Sequence, residues 1–188
     1  MVDYWRGIKI ILAISIVVIC MSIPHIGFAS TAAEIDSQAK AALQELYKSS
    51  PAAAELSKTA KAILVFPNMV KAGLILGAQG GEGELIEGGK TTGYYISTAA
   101  SFGLQAGMQK FGYALFFMTD SALEYLKKSK GWEIGVGPSV VVVDAGMARS
   151  LTTTTVKEDI YAFFFGQKGL MAGMGIQGTK ITKYQPDK

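Results

Sequence analysis

The chain contains no cysteine or histidine after position 25, because Cys20 and His25 are the only residues of their kinds. The long remainder therefore cannot use disulfides or a zinc site with Cys or His ligands, and it must be stabilised by packing. The same absence excludes Ser-His-Asp and Cys-His nucleophilic catalysis. We therefore predict a domain that is not an enzyme and that binds no metal or cofactor.

The first 29 residues have the features of a secretory signal peptide. Arg6 and Lys9 precede a run over 10–21 that is apolar except for Ser15, and the small residues Gly27 and Ala29 follow it. A membrane-spanning helix needs about 20 apolar residues, more than this run supplies. We predict cleavage after Ala29 and export to the periplasm or cell envelope. Cleavage three residues later and an uncleaved anchor remain the alternatives.

A cysteine in a signal peptide, such as Cys20, can be the lipid attachment site of a lipoprotein. Lipoprotein processing prefers a small residue before the cysteine, whereas Ile19 stands here, and Cys20 lies inside the apolar run instead of at its end. We therefore predict no lipid attachment at Cys20.

Length and charge restrict what the rest of the chain can be. Removing 29 of the 188 residues leaves 159, the size of one ordinary domain. Asp3, Arg6 and Lys9 leave with the signal, so 16 basic residues face 14 acidic ones. A nucleic-acid binder would carry a dense basic face. We therefore predict a single domain without a nucleic-acid partner.

Three helices are predicted. Apolar residues recur at helical spacing over 33–48. A second helix starts with Ser50 as its cap and Pro51 in its first turn, and it is expected to run to about Lys61. An internal helix is capped by Thr119 or Asp120, and a glycine at 131 ends it.

Short apolar runs separated by turn residues predict that the remaining segments are strands. Turns are expected at 67–68, 80–81, 88–89 and 110–112. The predicted strands cover residues 63–66, 72–78, 83–87, 91–98, 101–109, 113–118, 132–137, 139–144, 160–165, 169–177 and 179–184. We therefore predict an α+β fold in which two N-terminal helices and one internal helix pack on a curved, mainly antiparallel sheet. A barrel-like closure of that sheet is left open.

Three segments repeat the form Gly-Leu-x-x-Gly, at residues 73–78, 103–108 and 169–174. Residues four apart in a strand point to the same face, so each segment removes two side chains from one side of the sheet. Two explanations remain open. The glycines can permit tight coiling or close approach of backbones, or they can bare a face on which a lipid chain or a partner lies.

The order of these segments resembles the SYLF domain family over residues 33–184. The resemblance is carried by four motifs: the apolar run into Phe66-Pro67 with Lys71-Ala72-Gly73, the strand Gly103-x-Gln105-x-Gly107, the step Gly135-Val136-Gly137-Pro138, and Tyr161 leading to Gly169-Leu170-Met171-Ala172-Gly173. Two positions depart from the family pattern. Thr92-Gly93-Tyr94-Tyr95 stands where many members carry Trp-Ser-Pro, and Ser139-Val140 stands where an arginine is common.

The resemblance implies binding of anionic lipid, with phosphoinositides as the eukaryotic ligand and actin as a partner in the fungal branch. The family attributes the lipid contact to a basic N-terminal stretch, and five lysines can serve here: Lys40, Lys48, Lys58, Lys61 and Lys71. Acidic residues share the same helices, so these lysines are equally explained as a solvated surface. A structural or protein-interaction role without lipid is the alternative function.

Overall fold

The computed structural model describes residues 30–73, 76–102, 107–148, 151, 156–166, 176 and 178–187. The predicted signal peptide with Cys20 and the third glycine repeat lie outside these residues, so the predictions made for them stay predictions. Within the described part of the chain, no helix is both long and apolar enough to cross a membrane.

Two N-terminal helices form where the sequence places their caps. Helix α1 spans Ala32–Ser49 and starts with a capping box, in which Thr31 accepts from the Glu34 N–H and the Glu34 carboxylate accepts from the Thr31 N–H. Helix α2 spans Pro51–Leu56, with Ser50 as its cap and Pro51 in its first turn. Both starts agree with the prediction.

The predicted end of α2 near Lys61 is wrong, because the helix ends at Leu56. The N–H groups of Lys58 and Thr59 donate to the Glu55 and Leu56 carbonyls, three residues back, so the chain tightens into turns. Lys61 then donates its N–H to the carbonyl of Phe117, which ends a central strand of the sheet. Lys58 and Lys61 therefore lie on the connection between α2 and the first strand, not on a shared helix face.

Eight strands form one sheet in the order β5-β8-β3-β2-β1-β4-β7-β6, curled into a half-barrel. All pairs are antiparallel except β6 with β7. The strands are β1 Ala62–Gly73, β2 Leu76–Glu87, β3 Lys90–Phe102, β4 Gly107–Phe117, β5 Trp132–Glu133, β6 Val140–Val142, β7 Ile160–Phe165 and β8 Lys180–Tyr184. The α+β class and the mainly antiparallel, curved sheet are confirmed.

The turns predicted at 67–68 and 80–81 are wrong, because both segments lie inside long strands. β1 continues through 67–68 as a bulge, and the register with β2 and β4 shifts there. The glycines opposite make room for it: a Cβ on Gly83 would sit 2.3 Å from the Val65 carbonyl oxygen, and one on Gly81 would sit 2.5 Å from the Met69 sulfur. The proline and glycines that resemble turn signals thus accommodate an irregular strand pair.

The turn predicted at 110–112 is also wrong, since these residues continue β4. The Gly88-Gly89 hairpin is confirmed, and both glycines have positive φ, 56° and 79°. Helix α3, Asp120–Lys128, follows its predicted cap Thr119. A short helix α4, Ala145–Ala148, was not predicted.

Each face of the sheet carries a buried core. Helices α1 and α2 cover one face, called here the helix face, where their apolar side chains pack on Val65, Phe116 and Phe163. The opposite face holds a second core with Leu64, Trp132 and the apolar side of α3. This arrangement places the polar edge of α1 beside the β2–β3 hairpin.

Candidate functional site

A groove of about 680 Å³ separates α1 from the α2–β1 connection and the β2–β3 hairpin. It brings together three of the five lysines predicted for lipid contact, Lys40 from α1 and Lys58 and Lys61 from the connection. The early end of α2 allows this grouping, because Lys58 and Lys61 then lie on the connection that borders the groove. We call this feature the lysine groove.

Helix α1 reaches the groove through its amphipathic pattern. Ala39 and Leu43 pack in the core of the helix face. The exposed fractions of Ile35 and Ala39 are 1 % and 0 %. Asp36 and Lys40 follow these buried positions by one residue, so they lie at the border between core and solvent. One helix therefore supplies both a cation for the rim and a carboxylate for the interior of the groove.

The rim lysines differ in their partners. Lys58 pairs with Glu55, and its side chain is 66 % exposed; Lys61 pairs with Asp120 at 3.2 Å and is 47 % exposed. Lys40 has no ion pair within the described residues. Lys58 and Lys61 are thus both exposed, and both are partly neutralised by carboxylates.

The floor of the groove contains a carboxyl pair. Glu84 of β2 is only 3 % exposed; it accepts a hydrogen bond of 2.9 Å from the Thr91 hydroxyl and hydrogen-bonds the Asp36 side chain. Burial raises the pKa of Glu84 to about 8, and the bond to Asp36 adds to this shift. Glu84 is therefore protonated at neutral pH and adds no negative charge beneath the lysines.

A tyrosine completes this network. The Tyr94 hydroxyl donates to the Asp36 carboxylate at 2.9 Å. Burial and the neighbouring Asp36 raise the pKa of Tyr94 to about 12, so it remains a neutral donor. Asp36 thus accepts from two sides, which fixes α1 over the hairpin.

The other two predicted lysines lie elsewhere. Lys48 is exposed in the last turn of α1 and does not line the groove. Lys71 lies in β1 beyond the bulge, where it pairs in register with Gln79 and Gln109. The structure therefore does not assemble all five into one site.

Two of the glycine repeats are brought together. Gly73 of β1 pairs in register with Gly77 of β2 and with Gly107 of β4. The three glycines form a row across the ends of neighbouring strands, although the repeats are far apart in sequence.

Sequence reasoning missed Glu84 and Asp36. The alternation of β2 places Glu84 on the same face as residues 78 and 80, but the sequence contains no signal that a helix covers this face at position 84. The groove offers cations at its rim and, at its floor, a carboxyl pair that is hydrogen-bonded to the hydroxyls of Thr91 and Tyr94. No group of three or more potential metal ligands occurs in the described part of the chain.

The fold is an α+β domain in which two helices cover a mixed, curled sheet. A charged groove lies between the helices and the sheet, and such a groove is a feature of binding modules. Residues 98–187 match the family described as Ysc84, Las17-binding protein actin regulator, and the SYLF resemblance is thereby confirmed over this part of the chain. The description names a binding protein and no reaction. No curated protein matches the chain. The matched residues begin near the end of β3, so the lysine groove lies N-terminal to them.

Proposed function

We propose that this protein is a non-catalytic binding protein of the cell envelope whose lysine groove binds anionic lipid headgroups. The observation that carries the proposal is the convergence of Lys40, Lys58 and Lys61 on one groove. A headgroup phosphate is an anion of suitable charge for this rim, and each lysine near an anionic membrane surface contributes about 1 kcal/mol.

The existing ion pairs do not prevent such binding. Exposed pairs such as Lys58 with Glu55 contribute only about 0–1 kcal/mol, so a phosphate can replace the carboxylate at little cost. Lys40 is available without displacing a partner among the described residues. The protonated Glu84 beneath lowers the repulsion that a phosphate would meet.

The envelope location belongs to the same proposal. It rests on the signal-peptide pattern and on cleavage after Ala29. An exported protein meets the anionic lipids of the membranes around it, which supplies the surface that the groove needs.

A protein-binding role is the second candidate function, and the family description favours it. The family's printed description is of a Las17-binding protein and actin regulator, so its members are described by a protein partner. By analogy, this chain would bind a protein of the envelope and no lipid.

Sedimentation with vesicles separates the two functions. We expect the protein to sediment with anionic vesicles and not with neutral ones at low salt, and to dissociate as salt screens the lysines. Failure to bind either kind of vesicle at low salt would remove the lipid function and leave the protein-binding one.

A further inference from the structure

The central strands reach beyond their neighbours at one end of the sheet. β8 pairs with β3 only over 94–98, and β7 pairs with β4 only over 112–117. The strand residues past these pairs, 69–73, 76–80, 99–102 and 107–111, form what we call the sheet tip.

One row of the sheet tip is apolar and exposed. Ala100, Ala78, Ala72 and Met108 are neighbours in register across β3, β2, β1 and β4. All four are exposed, and Met108 is the most exposed large apolar side chain of the described residues, at 68 %. The three alanines also line a shallow groove of about 500 Å³. Exposed apolar surface of this kind marks an interaction site.

Two lysines of the sheet tip have no carboxylate partner among the described residues. Lys110 of β4 is exposed two residues along from Met108 on the same face, and Lys71 of β1 lies on the other face, in the row between them. Neither lysine forms an ion pair within the described residues. The sequence has no Asp or Glu over 57–81 or over 88–119, so the strand residues of the sheet tip carry positive charge only.

The tip and the lysine groove are separate features. Ala78 and Ile86 lie eight residues apart on β2, which is roughly 26 Å at 3.3 Å per residue. One small anion cannot contact both features, whereas an extended anionic surface can.

We propose that the sheet tip is a second membrane contact, at which Met108 and the alanine row enter the interfacial region of an anionic bilayer. Lys110 then lies at the level of the headgroups with its aliphatic stem along the apolar row, and Lys71 reaches the headgroups from the opposite face of the sheet. Charge complementarity selects the bilayer as the partner, because the tip combines apolar side chains with cations and lacks carboxylates. This inference rests on the proposed function, since it assumes a protein that binds anionic membranes.

A tryptophan at position 108 tests the contact directly. We expect that in Met108→Trp the added fluorescence is quenched by anionic vesicles with brominated acyl chains. The control is Ser49→Trp, at the exposed end of α1, which should not be quenched. The experiment uses the protein in the form that its host produces. The tryptophan fluorescence of the parent protein is measured separately and subtracted. Position 108 is exposed, so the larger side chain fits without repacking.

Charge at the same position provides a second, independent test. Met108→Glu should lower the fraction bound to anionic vesicles several-fold, because it places an anion in the apolar interface. Val136→Glu is the matched control, since Val136 is 57 % exposed outside the tip, and its binding should equal that of the parent.

The possible outcomes distinguish the tip contact from headgroup binding in the groove. Quenching at 108 and not at 49, with weaker binding of Met108→Glu, supports the tip contact. If the protein binds anionic vesicles but position 108 is not quenched and Met108→Glu binds like the parent, the tip contact is overturned. Headgroup binding in the groove then still stands. This is the result expected if a protein, and not a bilayer, covers the tip. Absence of binding to anionic vesicles overturns both.

Discussion

Glu84 of β2 and Asp36 of α1 share a hydrogen bond beneath the lysine groove, although 48 positions separate them in the sequence. The carboxyl of Glu84 is 3 % exposed, and its pKa is raised to about 8 by burial first and by Asp36 second. Glu84 is therefore protonated at neutral pH, and its hydrogen bond to Asp36 joins the helix to the sheet.

The first prediction concerns the pH dependence of stability. The pKa of Glu84 is higher in the folded protein than the usual 4.5, so the folded state binds the proton more tightly. The stabilisation is fully present below about pH 4.5 and is lost progressively as pH rises to about 8. In Glu84→Gln, which cannot ionise, we expect a smaller decline of Tm over this range and a higher Tm than the parent at about pH 9.

Thermal unfolding followed by circular dichroism at several pH values checks this. Glu45→Gln, at an exposed position of α1, should follow the parent at every pH. If Glu84→Gln kept the full decline of the parent, another group would carry the pH dependence and the carboxyl pair would be wrongly assigned.

The second prediction concerns the bulge of β1. A Cβ at Gly83 would lie 2.3 Å from the Val65 carbonyl oxygen and 2.6 Å from the Phe66 ring, so one of the strands must move. We expect Gly83→Ala to lower the free energy of unfolding by about 1–3 kcal/mol in urea denaturation, the range for overpacking. Gly93→Ala is the control, because its Cβ would meet only side chains, at 3.3 Å and beyond. Equal stability of the two variants would contradict the bulge register.

The third prediction concerns the N-terminus. We expect the protein isolated from its native host to begin at Ser30, because small residues precede this position and the apolar run before them is short. N-terminal sequencing and intact mass measure this. A mass that includes residues 1–29, or an acyl-modified Cys20, would show that the segment is retained.

The helices were predictable because their starts depend on local chemistry. Ser50, Pro51 and Thr119 act within one turn of the helix that they begin, so sequence alone contains the signal. The end of α2 was not predictable in this way. It depends on Lys61 pairing with Phe117 of β4, which is a contact between distant residues.

The strand boundaries failed for a related reason. Pro67-Asn68 and Gly80-Gly81 are each good turn signals when read alone. In the fold they lie in neighbouring strands, where an irregular stretch of β1 meets glycines of β2. Only the pairing of the two segments reveals that neither is a turn.

The candidate site was predicted in part. The sequence shows that the lysines are residues of a type suited to anionic lipid. It does not show which of them lie close together in the fold. Lys40, Lys58 and Lys61 meet because α2 is short, while Lys71 is carried to the sheet tip by a long β1. Glu84 was missed because its burial requires knowing that α1 covers this face of β2.

The most direct test of headgroup binding in the groove is charge reversal with a matched control. In Lys58→Glu with Lys61→Glu, we expect binding to anionic vesicles at low salt to fall at least ten-fold, because about 1 kcal/mol of attraction per lysine is replaced by repulsion. In Lys48→Glu with Lys128→Glu, which changes net charge equally at exposed positions outside the groove, binding should fall far less. Unfolding by urea confirms that both proteins are folded. Equal losses in the two double variants would mean that net charge alone, and not the lysine groove, governs binding, and would contradict the account.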